Sequence, residues 1–140
     1  MRVVFRSMLA AAALAAAAVS YAGETDLATP LIDQASLLKR IENKDPALLI
    51  LDVRTPEEYA AGHVPGAINI PYTHLPVRIS EIADASDKDI VLYCAVGARA
   101  EQGAERLRAN GFKRLLHLEG DMEAWQEKKR PLAKETSAAK

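Results

Sequence analysis

Short aliphatic runs alternate with amphipathic segments along this chain. That order predicts an α/β fold with a central, mainly parallel sheet and helices on both faces. Two observations carry the prediction. Ala47 to Val53 is almost continuously aliphatic, the pattern of a parallel strand covered on both sides. A second such run, Ile90 to Tyr93, ends on the chain's single cysteine, and a glycine-containing loop then leads into a helical segment.

The elements follow in order. Asp33 is a suitable N-cap for a helix over Gln34 to Asn43, with Leu37, Leu38 and Ile41 on its inner face. The aliphatic strand comes next. Thr55 then caps a short helix, Pro56 to Ala61, with proline at its first position and Gly62 at its end. Ala67 to Ile70 reads as a short strand between Pro65-Gly66 and Pro71. His74 to Ala83 reads as a helix, with Pro76 tolerable only near its start. After the strand Ile90 to Tyr93, a helix from Ala98 to Asn110 stops at Asn110-Gly111. Leu115 to Leu118 is the next strand. Gly120 turns the chain into a last helix, Met122 to Lys129, whose Met122 and Trp125 face the core.

The two ends read differently. Residues 1–22 have the layout of a secretory signal peptide: Arg2 and Arg6, an uncharged run from Met8 to Val19, then Ser20-Tyr21-Ala22 before Gly23. The run falls short of the roughly 20 apolar residues that span a bilayer. Cleavage after Ala22 and export to a bacterial periplasm are expected. A mitochondrial presequence, the competing reading, is usually longer and richer in Arg and Ser. Residues 23–30 form a polar leader, 31–133 one domain, and 134–140 a frayed tail.

Composition narrows the function. The net charge is −1, and losing the two signal arginines makes the mature chain more acidic. Basic residues are scattered except for Lys128-Lys129-Arg130, which reads as the cationic end of a helix. Neither nucleic acid nor, once the signal is removed, a membrane is expected as partner; a monomer is. Three dispersed histidines and one cysteine offer no metal-ligand spacing, and no phosphate-loop or dinucleotide fingerprint occurs, so no metal or cofactor is expected.

Chemistry centres on Cys94. A strand-loop-helix turn aims backbone N–H groups and the positive end of a helix into its loop, and Arg99 adds a full charge. A thiolate or a bound anion is favoured there; the bland reading is a small buried hydrophobe. Asp52 and Arg54 lie two apart at another strand end, so they share a face. They are read as an ion pair that orders the next turn or shapes the cleft, and Glu58 is placed to join Arg54. His63 is read as fixing a turn by a hydrogen bond, and His74 and His117 as structural.

Three segments together resemble the rhodanese family of sulfurtransferases: Leu51 to Tyr59, Gly62 to Pro71 (GHVPGAINIP), and the loop Cys94 to Arg99 with its strand. The likeness spans roughly Ile32 to Leu132 and is similar in form to the small exported members. It implies a rhodanese-like fold and a catalytic Cys94 that takes sulfur from a donor such as thiosulfate as a persulfide. It also implies transfer to an acceptor such as cyanide or a thiol. Ala95, Val96, Gly97, Ala98 and Arg99 become the substrate-binding loop, and Asp52 and Arg54 border the cleft. Loop length argues against phosphatase or arsenate reductase activity. Four residues separate Cys94 from Arg99, where those rhodanese-like enzymes have five to fit a tetrahedral anion. Many members carry a basic residue directly after the cysteine; here it is Ala95, which makes the pocket less positive. A sulfur carrier, thiol sensor or binding module without catalysis is the alternative class.

Overall fold

The computed structural model describes residues 28–135. The expected signal peptide, most of the leader and residues 136–140 of the expected tail lie outside them. Strands β1 (Leu31–Ile32), β2 (Leu48–Asp52), β3 (Ile68–Asn69), β4 (Asp89–Tyr93) and β5 (Leu115–Leu118) form one sheet in the order β1-β5-β4-β2-β3. Every pairing among them is parallel. Helices α1 (Gln34–Glu42), α2 (Pro56–Ala61), α3 (Leu75–Arg78) and α4 (Ala98–Ala109) fill the connections, and α5 (Asp121–Glu127) follows β5.

Alternation along the strands splits the core into two layers. On β4, Ile90 and Leu92 face one side, with Cys94 continuing the alternation, and pack with Ala100, Ala104 and Leu107 of α4 and with Leu75 of α3. Val91 and Tyr93 face the other side, with Leu37 of α1 and Met122 and Trp125 of α5. Helices therefore cover both faces of the sheet, as the near-continuous aliphatic strands require. Trp125 is fully buried and donates its indole N–H to the Pro131 carbonyl.

The caps act as the sequence indicates. The Asp33 carboxylate accepts the Ser36 N–H at 2.8 Å. Thr55 and Glu58 form a reciprocal capping box at the start of α2.

Three elements differ from expectation. The helix expected over His74 to Ala83 is a single α-turn, α3, followed by a 3-10 segment, Ile79–Ala85. Ile79, Ile82 and Ala85 recur every third residue; the two isoleucines pack on the core and Ala85 is buried, which matches the three-residue turn of a 3-10 helix. β1 was not expected; only two residues long, with Leu31 exposed at the sheet edge, it carries no periodic pattern. Its neighbour Thr29, in the segment read as leader, is buried against α4 through Glu101. Finally, α5 ends at Glu127, so Lys128-Lys129-Arg130 form the turn beyond it, with Lys129 left-handed at φ 52°.

Candidate active site

β4 lies at the centre of the sheet, and the chain leaves its two sides in opposite directions, to β5 through α4 and from β2 to β3 through α2. The carboxyl end of such a strand is where open α/β sheets bind ligands. Cys94 is the first residue past that end and is only 1% exposed. The loop wraps back over it. Gly97 adopts φ +117°, a conformation that favours glycine, and this turns its N–H onto the Cys94 Sγ at 2.9 Å. Val96, one residue earlier, is 70% exposed at the rim.

The rest of Cys94 is held by the start of α5. Its N–H donates to Asp121 Oδ1 at 3.0 Å, and its carbonyl accepts the Met122 N–H at 3.0 Å. The Glu123 N–H takes the Ala95 carbonyl at 3.1 Å. Backbone hydrogen bonds thus fix residue 94 on one side, and the Gly97 amide donates to its sulfur on the other.

Arg99, one residue into α4, meets Glu58 through two parallel bonds of 2.8 and 3.0 Å. This fork joins the cysteine loop to the first turn of α2. The pair was not foreseen; Glu58 was placed with Arg54 instead. Arg99 holds the Glu58 carboxyl down at about 2, against the burial that would raise it. Glu58 in turn holds the Arg99 guanidinium above its ordinary value, and the Cys94 sulfur adds a smaller share.

Asp52 and Arg54 do form the ion pair that their spacing suggests. Arg54 Nη2 meets Asp52 Oδ2 at 2.7 Å, and Arg54 Nε meets Oδ1 at 3.0 Å. The Tyr93 hydroxyl donates to the same carboxylate at 2.7 Å and accepts the Val64 N–H. Burial first, and the charge of Asp52 next, push the Tyr93 phenol far above its ordinary value, so it stays a donor. Tyr93 faces the layer opposite Cys94. The pair is buried beneath the site, with Asp52 wholly covered, rather than lining the same cleft wall as the thiol. Its work is to hold the turns of the GHVPGAINIP segment, through Arg54 Nη2 on the Gly62 carbonyl and Tyr93 on Val64.

His63 fixes its turn as expected: its Nδ1 lies 2.9 Å from the Tyr59 carbonyl, and its ring stacks on Tyr59 at 3.7 Å. His117 is not isolated. Its Nδ1 lies 2.8 Å from Glu101 Oε1, and its Nε2 lies 2.9 Å from Asp121 Oδ1. Asp121 carries no distinguishing signal in the sequence, because it stands between Gly120 and a helix start. A turn-to-helix aspartate has an ordinary explanation there. Among the described residues no group of histidine, cysteine and carboxylate side chains has a metal-holding arrangement.

Comparison with known proteins agrees with this geometry. A family model described as Rhodanese-like domain matches residues 33–128. A protein named Sulfurtransferase from Allochromatium vinosum is 42% identical over 94 residues, covering 67% of this chain and 85% of that protein. A tRNA uridine(34) hydroxylase from Sodalis glossinidius is 40% identical over 80 residues, but these are only 23% of its length. In structure, a rhodanese-related protein from Thermoplasma volcanium superposes with a TM-score of 0.65 at 30% identity, over 76% of this chain and 99% of that one.

Proposed function

This chain belongs to the rhodanese-like domain family, and from that premise we propose that it is a sulfurtransferase working through a persulfide on Cys94. The observation that carries the reading is the Gly97 N–H on Sγ at the end of the central strand, with the Arg99 guanidinium beside the loop. The relative named Sulfurtransferase, matched over most of its length, supports it. The hydroxylase is matched over about a quarter of its length, 23%, which supports a shared domain rather than a shared reaction.

The chemistry follows from the cradle. With thiosulfate as donor, the Cys94 thiolate attacks the outer sulfur. A new S–S bond forms, the bond to the sulfonate breaks, and sulfite leaves with the electron pair. The terminal sulfur of the persulfide carries the negative charge. The Gly97 N–H aimed at Sγ and the Arg99 charge beside the loop suit an anionic intermediate at this point. Cyanide or an acceptor thiolate then attacks that terminal sulfur, and Cys94 departs as thiolate, ready for another cycle. The close cover over Cys94 admits only a donor slim enough to enter the loop. Ala95 supplies no second charge to the mouth, so the site suits sulfane donors less anionic than thiosulfate as well as thiosulfate itself.

We place this activity in the periplasm. The support is the pattern of residues 1–22, and the mature chain then starts at Gly23. A thiosulfate:cyanide turnover assay on the mature protein tests the reading, beside Cys94→Ser. Turnover by the wild type and none by the variant is the expected result. Equal turnover in both would remove Cys94 from the reaction.

A further inference from the structure

We propose that Asp121 and His117 are positioning residues for sulfur transfer, a charged clamp that holds the Cys94 backbone from behind. The proposal rests on the sulfur-transfer reading of Cys94 and adds residues that act through it.

The first observation is backbone strain. Asp121 has φ +52°, directly after Gly120 at φ +75°. Aspartate tolerates the left-handed region better than most residues, yet glycine occupies it without penalty. The turn alone is thus better served by a second glycine. Asp121 is also only 3% exposed, and burying a carboxylate is costly unless its partners compensate. A residue disfavoured on both counts needs a contact that glycine cannot make.

That contact is with the nucleophile's own residue. Asp121 Oδ1 takes the Cys94 N–H at 3.0 Å, while Met122 donates to the Cys94 carbonyl and Glu123 to that of Ala95. Three consecutive residues thus grip residues 94 and 95 on both backbone edges. The same carboxylate bounds the loop from below. A Cβ at Gly97 would stand 3.1 Å from Asp121 Oδ2 and 3.3 Å from His117 Cε1. The pair therefore sets the floor on which Gly97 lies while its N–H points at Sγ.

His117 braces the carboxylate. Its Nε2 reaches both Asp121 oxygens, at 2.9 and 3.0 Å, and its Nδ1 reaches Glu101 of α4. With a carboxylate at each ring nitrogen, both nitrogens donate only in the imidazolium. Asp121 raises the His117 value above the ordinary histidine one, against burial, and Glu101 adds to the rise. These two carboxylates are the charged groups in contact with the ring. Behind them, Glu101 Oε2 accepts from Thr29, and Arg108 donates to the Thr29 hydroxyl.

The test uses the mature chain and two readouts. Alkylation of Cys94 by iodoacetamide needs no sulfur donor, so it decides the clamp even if sulfur transfer fails. Thiosulfate turnover then separates kcat from KM. Asp121→Gly relieves the left-handed strain but leaves the Cys94 N–H and the His117 ring without their acceptor, so its thermal midpoint should fall. In the folded fraction it should also slow alkylation at pH 7 and lower kcat by about tenfold, because the thiol is misplaced, with KM little changed. Asp121→Asn keeps an acceptor for the Cys94 N–H and a residue tolerant of this backbone, and should recover most of the loss. His117→Gln leaves Asp121 in place and should slow alkylation severalfold, which keeps the test open if the glycine variant does not fold. Alkylation and kcat within about twofold of wild type in both Asp121→Gly and His117→Gln would overturn the proposal. So would Asp121→Asn as slow as Asp121→Gly.

Discussion

Two charged clusters sit at the carboxyl edge of one sheet, on opposite faces, and they differ in what they touch. Asp52, Arg54 and Tyr93 form a closed set beneath α2, and their outward bonds go to Gly62 and Val64. Glu101, His117 and Asp121 lie on the face of Cys94, and their outward bonds go to the Cys94 N–H and, through Glu101, to Thr29. The first cluster contains an arginine, whose charge is permanent at any accessible pH. The second contains a histidine, whose charge is not. On our proposal the first therefore holds the frame without depending on a histidine's charge, and the second holds Cys94 in a way that does.

Breaking the first cluster should have the largest effect on stability. Asp52→Ala leaves the buried Arg54 guanidinium and Tyr93 hydroxyl without their partner. Loss of one member of a buried pair destabilises by about 3–5 kcal/mol. A urea midpoint far below wild type is the expected result. Cys94 alkylation in the fraction that remains folded should change little. A large loss of reactivity with unchanged stability would mean that the frame cluster reaches the thiol after all.

The next effect falls between the clusters, at Arg99. Arg99→Ala removes a charge beside the loop, and losing one charge-assisted contact costs about 1.5–3 kcal/mol. That corresponds to roughly 10- to 150-fold in kcat/KM with thiosulfate, and lysine should rescue only part, since it cannot reproduce a planar fork. Stability should suffer less, because the Arg99–Glu58 pair is part-exposed and such pairs contribute about 0–1 kcal/mol. A loss within about twofold in kcat/KM would show that Arg99 only fastens the loop to α2.

The smallest effect sharpens the comparison by its pH dependence. The folded-state value of His117 is raised, chiefly by the Asp121 carboxylate. Its contribution to stability is thus fully present below the unfolded histidine value of about 6.5 and is lost as pH rises through the folded value. The stability gap between wild type and His117→Gln should shrink as pH is raised from 6 toward alkaline values. The gap between wild type and Asp52→Ala should not change over that window. A His117 gap that widens with pH would contradict the imidazolium assignment.

The sequence made the fold legible where one run of residues carries the signal. The aliphatic strands, the Thr55 cap and the turn at Asn110-Gly111 are all local. The Asp52–Arg54 pair was legible for the same reason, since two residues on one strand share a face. The Arg99–Glu58 fork was hidden because its partners are 41 residues apart and meet only when α2 and α4 come together. His117 and Asp121 are four apart, but a strand end and a tight turn separate them, so no single periodicity relates them. Their third partner, Glu101, comes from α4. The 3-10 segment was hidden because a three-residue recurrence over seven residues also fits an α-helix.

The account stands on the persulfide, and intact mass reads it directly. The mature protein is incubated with thiosulfate, separated from donor without reductant, and weighed beside Cys94→Ser. The predicted result is a gain of one sulfur atom by the wild type, reversed by cyanide with release of thiocyanate, and no gain by the variant. An unchanged wild-type mass under conditions where sulfite is released, or the same gain in Cys94→Ser, would contradict it.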